Sequence, residues 1–147
     1  ILESFQAGLS WECVLNKREA FRKAFDGFNA EKIANYDDNK IAELQNNKDI
    51  IRNKLKIRSS VNNAKIFLEI QKEYGSFREY LKGFTGEQQI IEADKTTSPL
   101  SDALSADLVK RRMKFVGSTI IYSYLQAIGV IFSHEKECFM YKGRKFK

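Results

Sequence analysis

The apolar side chains of residues 54–74 recur at intervals of three and four, and no proline or glycine interrupts them. This spacing places them on one face of an α-helix, and it is the longest helical pattern in the chain. Gly75 is predicted to end this helix and Ser76 to cap the next one. The predicted buried stripe consists of Leu55, Ile57, Val61, Ala64, Phe67, Leu68 and Ile70.

The rest of the chain also favours helices. Its 147 residues include one proline and eight glycines, which is too little turn punctuation for an all-β protein. Residues 1–9 are predicted as a helix end that loosens at Gly8, and 85–99 as a long connection. No repeat or second domain is visible. We therefore predict one all-α domain spanning 1–147, a compact orthogonal bundle of short helices. Further helices are predicted from Ser10 to about Phe25, after Asn29, from Asp37 or Asp38, over 77–84, from Ser101 to Arg112 and over 119–128.

The chain carries a formal net charge of +6, from 25 lysines and arginines against 19 acidic residues. Such an excess suits a polyanionic partner, either nucleic acid or an anionic membrane surface. Composition alone does not choose between these two partners, and many basic proteins bind neither. No apolar run is long enough to span a bilayer, so we expect no membrane insertion.

The two cysteines, Cys13 and Cys138, are too few for a disulfide framework in a chain of this length. A reducing compartment is therefore favoured. No signal peptide is visible, and we expect a cytoplasmic protein. The chain begins at Ile1 within a helical pattern that is already under way, which indicates a cut or processed end.

Residues 102–128 have the pattern of a helix, a tight turn and a second helix, with the turn at 114–118. Gly117 is expected to adopt a backbone conformation that other residues avoid, and to let a ligand approach the main chain. The unpaired N–H groups of Ser118 and Thr119 would form an anion site suited to a DNA phosphate. An ordinary helix–helix turn is the commoner meaning of this spacing taken alone. Positive charge beside the turn comes from Arg111, Arg112 and Lys114.

Three segments of the chain, taken in order, resemble one known enzyme family. That family is DNA-3-methyladenine glycosylase I, a helical enzyme that contains a helix–hairpin–helix. The resemblance covers the whole chain except the connection at 85–99 and the extreme C-terminus. The segments are LESFQAGLSWECVLNKREAFRKAFDGF (2–28), DIIRNKLKIRSSVNNAKIFLEIQ (49–71) and SDALSADLVKRRMKFVGSTIIYSYLQAIG (101–129).

The resemblance implies a base-excision repair glycosylase that flips 3-methyladenine out of double-stranded DNA and hydrolyses its bond to the sugar. Glu3 stands where the family has its base-recognising carboxylate, and it is the implied catalytic residue. Trp11 matches the pocket tryptophan, where a cationic base gains about 0.5–2 kcal/mol over the ring face. Gln6 is the third implied base-binding residue. Without the resemblance, Glu3 would be predicted as a solvent-facing acid and Trp11 as a core residue.

The resemblance also implies how the chain holds DNA. Leu9 would wedge into the gap that the flipped base leaves in the duplex. No lysine pattern singles out a Schiff-base nucleophile, so we expect a monofunctional hydrolase without a lyase step. We also expect a monomer. The implied DNA-binding residues are Gly8, Leu9, Lys114, Gly117, Ser118 and Thr119.

His134 and Cys138 match the C-terminal half of the family's structural zinc site. The family has a further segment of a few dozen residues before the position of Ile1. That segment carries the other two zinc ligands, and a tyrosine and a tryptophan near the base pocket. Because closed structural zinc sites use four protein ligands, we expect zinc to be absent from this chain or weakly held. Cys13 is not at a ligand position, and Ser133 stands where relatives have an acidic residue.

Three functions remain open. The chain is an active glycosylase, a non-catalytic helical DNA-binding module whose pocket is incomplete, or a helical interaction domain whose charge only aids solubility. Salt-sensitive DNA binding separates the third function from the first two. Release of 3-methyladenine, lost on Glu3→Ala or Trp11→Ala, separates the first from the second.

Overall fold

A computed structural model gives the structure of the chain and describes residues 1–86, 89–92, 94–134 and 138. The predicted all-α fold is confirmed, because nine α-helices contain most of these residues. The helices are α1 (Leu2–Gln6), α2 (Trp11–Asn16), α3 (Arg18–Ala24), α4 (Ala30–Ala34), α5 (Asp38–Asn46), α6 (Lys54–Tyr74), α7 (Phe77–Thr85), α8 (Pro99–Lys110) and α9 (Ser118–Ala127). A short 3-10 helix, Asp26–Phe28, and two short strands, β1 (Ile90–Ile91) and β2 (Ile131–Phe132), complete the described elements.

The long helix α6 has the predicted bounds. It begins after Asn53, whose side chain accepts a hydrogen bond from the backbone N–H of Lys56. It ends at Gly75, which has a φ of 83°, a conformation that costs glycine little. α6 joins two clusters of buried side chains, because Ile57, Val61 and Ala64 belong to the first and Ile66 and Ile70 to the second.

The prediction that Leu55 is buried is wrong. Its exposed fraction is 69%, whereas that of its neighbour Lys56 is only 6%. The apolar spacing alone could not separate the two positions, because both lie at the edge of the predicted stripe. Lys56 is buried because its side chain reaches the end of α1, where its Nζ donates to the backbone carbonyls of Phe5 and Ala7.

Two predicted helix boundaries also differ from the structure. The helix predicted from Ser10 to Phe25 is divided at Lys17, whose N–H donates to Val14 O at 3.2 Å and not to the carbonyl four residues back. The helix predicted from Ser101 begins earlier, at Pro99, because Ser98 is its N-cap and forms a reciprocal capping box with Ser101. Side-chain caps are present as predicted at Ser10, Asn29, Asp37 and Ser76.

A parallel pair of two-residue strands was not predicted. β1 lies in the connection after α7, and it pairs with β2 so that Ile90 faces Ile131 and Ile91 faces Phe132. This pairing anchors part of the long connection to the segment that follows α9.

The first helix packs against the last one, α9, and α8 also packs against α9. α4, α5 and α7 pack against α6. The chain's first helix is thus brought beside the helical hairpin formed by α8 and α9. Within the described ranges, no helix has both the length and the hydropathy needed to cross a membrane.

Candidate active site and nucleic-acid interface

A cavity of about 470 Å³ opens between α1, α4, α6, α7, α8 and α9. This volume lies within the range of about 300–1,000 Å³ that is usual for small-molecule sites. Its walls are mainly apolar, and the aromatic rings among them suit a flat heterocycle. The aromatic and large aliphatic lining includes Phe28, Phe67, Phe77, Ile121 and Tyr124.

Glu3 places a carboxylate on the wall of this cavity. The Glu3 Oε2 atom is buried and has no hydrogen-bond partner among the described residues. Burial raises the pKa of Glu3 from 4.5 to about 7, with a smaller opposing effect from the nearby amino group of Ile1. A buried acceptor without a donor is costly. The arrangement therefore suits a ligand that brings an N–H group, or a positive charge, into an apolar slot.

Further polar groups reach the same cavity. Ser4, Ser60, Asn63 and Tyr124 are among its lining residues. Burial raises the pKa of Tyr124, so its hydroxyl stays protonated at neutral pH and can donate a hydrogen bond. Ser60 is already committed, because its hydroxyl donates to Lys56 O at 3.0 Å.

The turn after α1 pushes Leu9 outward. Gln6 Nε2 donates to Leu9 O at 2.8 Å, and Leu9 N donates to Gln6 O at 2.7 Å. Gly8, between them, has a φ of 77°, which disfavours any side chain there. Gly8 and Leu9 are exposed, and Leu9 is one of the exposed large apolar residues. Gln6 therefore shapes the turn and is not among the described residues that line the cavity.

Trp11 lies at the start of α2, directly after the capping residue Ser10. It is half-buried. Glu3 lines the cavity but Trp11 is absent from the described lining, so the structure does not bring the acid and the indole together in one cavity. The role of Trp11 in binding a base stays a prediction.

The hairpin turn between α8 and α9 is open to solvent. Lys114, Gly117 and Thr119 are exposed, and Ser118 is half-buried. The expectation that Gly117 needs a special backbone conformation is wrong, because its φ is −59° and its ψ 158°. A Cβ at Gly117 would meet no atom within 4 Å. The other part of the prediction, that a ligand can approach the main chain closely at Gly117, stays a prediction, since a glycine has no side chain to cover the backbone.

The start of α9 presents free donors. Gly117 is its N-cap, and no side chain caps the helix. The N–H groups of its first turn have no partner within the helix, and the helix dipole adds positive potential there. The Ser118 hydroxyl is held by Asp102, with 2.5 Å between Ser118 Oγ and Asp102 Oδ1. The backbone amides, more than this hydroxyl, are therefore the groups available to an anion.

Two asparagines of α6 hold the hairpin turn in place, and sequence reasoning missed them. Asn63 Nδ2 donates to Lys114 O at 2.7 Å, and Lys114 N donates to Asn63 Oδ1 at 2.8 Å. Asn62 Nδ2 donates to Arg112 O at 2.9 Å. The signal in the sequence was a pair of amides in the middle of an apolar helical pattern. Because Asn63 also lines the cavity, the pocket and the turn share a wall.

The charge predicted beside the turn is only partly available. Arg111 forms hydrogen bonds with Glu73, at 2.6 and 3.2 Å, and with Asp107, at 2.8 Å. These carboxylates raise the pKa of Arg111 further above its ordinary value. Arg111 therefore joins α8 to the end of α6, whereas Arg112 and Lys114 remain exposed.

The predicted zinc ligands lie next to each other. His134 Nδ1 and Cys138 Sγ are 3.4 Å apart, and the His134 ring lies 4.9 Å from the ring of Phe132. In the part of the chain that the structure describes, no group of three or more His, Cys, Asp or Glu side chains is placed to hold a metal ion. The described residues therefore do not complete a four-ligand zinc site. Ser133 accepts a hydrogen bond from Gln126 Nε2 at 2.6 Å.

An acid-bearing apolar cavity beside an exposed glycine turn at a helix N-terminus is the arrangement of a helical ligand-binding protein that can take a flat heterocycle and, next to it, an anion. Comparison with known proteins specifies the class further. A family model described as methyladenine glycosylase matches residues 1–141. Because the match spans nearly the whole chain, the protein belongs to the methyladenine glycosylase family.

Individual relatives agree. The chain is 38% identical to DNA-3-methyladenine glycosylase 1 of Escherichia coli (strain K12) over 150 aligned residues, which cover 98% of this chain and 80% of that protein. It is similar to 3-methyladenine DNA glycosylase I of Staphylococcus aureus, with a TM-score of 0.92 and 31% identity over 98% of this chain and 80% of that one. A tyrosine-to-phenylalanine variant of a 3-methyladenine DNA glycosylase I, solved in complex with 3-methyladenine, has a TM-score of 0.89 and 33% identity over 94% of this chain and 77% of that one.

Proposed function

We propose that this chain releases 3-methyladenine from alkylated double-stranded DNA by hydrolysis, as a monofunctional glycosylase that acts as a monomer in the cytoplasm. The observation that carries the proposal is the unpaired carboxylate oxygen of Glu3 on the wall of an apolar, aromatic cavity. A methylated adenine is positively charged while it is attached to the sugar, and it offers N–H donors at its amino group. It can therefore supply both a hydrogen-bond donor and a positive charge to the Glu3 carboxylate.

The reaction needs exposure of the base more than it needs an acid. The bond to be broken lies inside the duplex stack, so the nucleotide must be flipped into the cavity. When the bond between the sugar C1′ and the base breaks, its electron pair stays with the base, which leaves as a neutral molecule. Water forms the new bond to C1′ and loses its proton to solvent. Ionised Glu3 stabilises the positive ring and accepts a hydrogen bond from its amino group.

The turn that carries Leu9 and the hairpin formed by α8 and α9 have different proposed roles in binding DNA. Leu9, exposed at the turn after α1, is placed to enter the gap in the stack. The free amides at the start of α9, with Lys114 beside them, bind a backbone phosphate without reading sequence. We propose Gly8, Gly117, Ser118 and Thr119 as the backbone positions that DNA approaches, and Gln6 as the residue that holds the Leu9 turn.

We propose that the reaction has no lyase step, and the placement of the lysines supports this. A lyase needs an amine nucleophile in the pocket. No lysine is among the described residues that line the cavity. Lys56 is buried, but its Nζ donates to two backbone carbonyls and is not free to attack a sugar.

We also propose that His134 and Cys138 supply half of a zinc site whose other ligands are not among the described residues.

The direct test is base release. Methylated duplex DNA is incubated with the protein, and free 3-methyladenine is separated from 7-methylguanine and measured by chromatography. We expect 3-methyladenine release by the parent protein and a loss of about 10–100-fold for Glu3→Gln, the effect of one hydrogen bond to a charged group. The matched control is Glu69→Gln, since Glu69 is exposed on α6. Salt-sensitive DNA binding without base release would instead favour a non-catalytic module, and equal rates for Glu3→Gln and the parent would contradict the pocket assignment.

A further inference from the structure

Lys56 is the one charged residue among the buried side chains of the described chain. Its Nζ donates to Phe5 O at 2.8 Å and to Ala7 O at 2.5 Å. Burial lowers the pKa of Lys56, and no carboxylate of the described residues forms an ion pair with it. A buried cation is costly, and here two backbone carbonyls, not a carboxylate, compensate for its burial.

The carbonyls that Lys56 binds belong to the end of α1. The last carbonyls of a helix have no partner within the helix, and they carry a partial negative charge that a cation stabilises. The turn with Gly8 and Leu9 begins at Ala7, the C-cap of α1. Lys56 therefore fixes the point from which the Leu9 turn leaves the helix.

The same ammonium group also reaches the hairpin. Its Nζ lies 5.6 Å from the centroid of the Phe115 ring, over which a cation is attracted. Phe115 is part of the turn between α8 and α9, and its φ of 54° lies in the left-handed region. One nitrogen atom thus contacts the backbone that carries Leu9 and the turn that presents Gly117.

A second clamp lies on the same side of α6. Asn63 is seven residues after Lys56, which places it on the same helical face two turns along. It forms two hydrogen bonds with the backbone of Lys114. The Leu9 turn and the hairpin turn are therefore both hydrogen-bonded to side chains on one face of α6, through Lys56 and Asn63 respectively.

We propose that Lys56 is a positioning residue that fixes the Leu9 turn relative to the hairpin turn, so that the wedge and the phosphate grip engage one DNA strand together. This inference rests on the proposed function. Flipping needs the gap to be filled while the backbone is held. A shift of one contact relative to the other by about 1 Å costs up to about a hundredfold in rate in well-placed sites.

The test compares duplex with single-stranded methylated DNA. Single-stranded substrate needs little flipping. The single-turnover rate on duplex divided by the rate on single-stranded DNA therefore isolates the flipping step, which Lys56 is proposed to assist. Lys56→Met keeps most of the stem and removes the charge and the donors. We expect it to lower that ratio about tenfold or more, while affinity for free 3-methyladenine stays within about twofold of the parent. Lys56→Arg, which keeps a cation and donors, is expected to restore part of the ratio.

The control is Lys65→Met, because Lys65 is exposed on the same helix. An equal loss on both substrates, which leaves the ratio unchanged, would mean that Lys56 only supports the fold, and unchanged rates on both substrates would mean that it has no part in flipping. Either result overturns the inference. If Lys56→Met does not fold, Phe115→Leu carries the same test, because it removes the aromatic face and leaves the carbonyl contacts. Should the parent protein release no base from either substrate, the proposed function itself fails, which is a distinct outcome.

Discussion

Replacing Glu3 by glutamine is expected to make the protein more stable at alkaline pH, although it removes the proposed base-recognising group. The Glu3 carboxylate is partly buried in an apolar wall, and its Oε2 atom has no hydrogen-bond partner among the described residues. Burial raises the pKa of Glu3 from 4.5 to about 7. The folded protein therefore binds this proton more tightly than the unfolded chain does.

The sign of the pH dependence follows from that difference. Between pH 4.5 and about 7, the unfolded chain has released the proton and the folded protein still holds it, so raising the pH favours unfolding. The cost of ionised Glu3 is complete above the folded-state pKa and absent below the unfolded-state pKa. A shift of this size corresponds to at most about 3.5 kcal/mol, at about 1.4 kcal/mol per pKa unit. Because the carboxyl is only partly buried, we discount this to about 1–2 kcal/mol.

The measurement is the free energy of unfolding by urea at pH 5 and pH 8.5, for the parent, Glu3→Gln and the control Glu69→Gln. We expect the gain of Glu3→Gln over the parent to grow by about 1–2 kcal/mol between the two pH values. Glu69→Gln, at an exposed position, should show no such growth. A gain for Glu3→Gln that is the same at both pH values would refute the claim that Glu3 is buried without a partner.

The hairpin gives two further predictions. Gly117→Ala should leave the free energy of unfolding unchanged or raise it slightly, because φ is −59° and a Cβ meets no atom within 4 Å. It should weaken DNA binding in a filter or anisotropy assay, because the added Cβ would obstruct a phosphate that approaches the main chain. Gly83→Ala, also without a Cβ contact, is the control, and a Gly117→Ala variant that binds DNA like the parent would contradict close approach. Arg111→Met should cost about 1–3 kcal/mol in urea unfolding, because it leaves the half-buried Asp107 without its cation. Arg112→Met should mainly reduce DNA affinity at low salt. Equal losses of DNA affinity for the two variants would show that Arg111 also faces DNA.

Features set by local hydrogen bonds were predictable from the sequence. The caps at Asn29, Asp37 and Ser76 each accept a hydrogen bond from the N–H group three residues ahead, and a cap needs nothing more distant. The bounds of α6 follow from an uninterrupted apolar spacing that ends at a glycine. These features depend only on residues that are close together in the sequence, so a local sequence pattern is enough to predict them.

Features set by distant contacts were not predictable. Lys56 is buried because carbonyls 51 and 49 residues away accept its hydrogen bonds. The pairing of β1 with β2 joins Ile90 to Ile131, and two-residue strands leave no periodicity to detect. The sequence marked Gly117 as a turn glycine, but it could not show that the left-handed residues of the turn are Arg112 and Phe115.

The candidate site divides in the same way. Glu3, taken alone, would have been predicted as a solvent-facing acid, and the family resemblance identified it as a pocket residue. The structure adds the cavity behind it, built from six helices that span most of the sequence. The contacts of Asn63 with Lys114 were missed, because a helical asparagine carries no sign of its partner 51 residues away.

The cavity beside Glu3 can be tested without DNA, by titrating the protein with 3-methyladenine and, separately, with adenine, and following side-chain NMR signals. We predict that 3-methyladenine shifts signals of cavity residues such as Phe67, Ile121 and Tyr124, that adenine does so weakly, and that Glu3→Gln reduces the affinity for 3-methyladenine. Shifts confined to residues outside the cavity, or an affinity that Glu3→Gln leaves unchanged, would contradict the assignment of this cavity as the site that holds the flipped base.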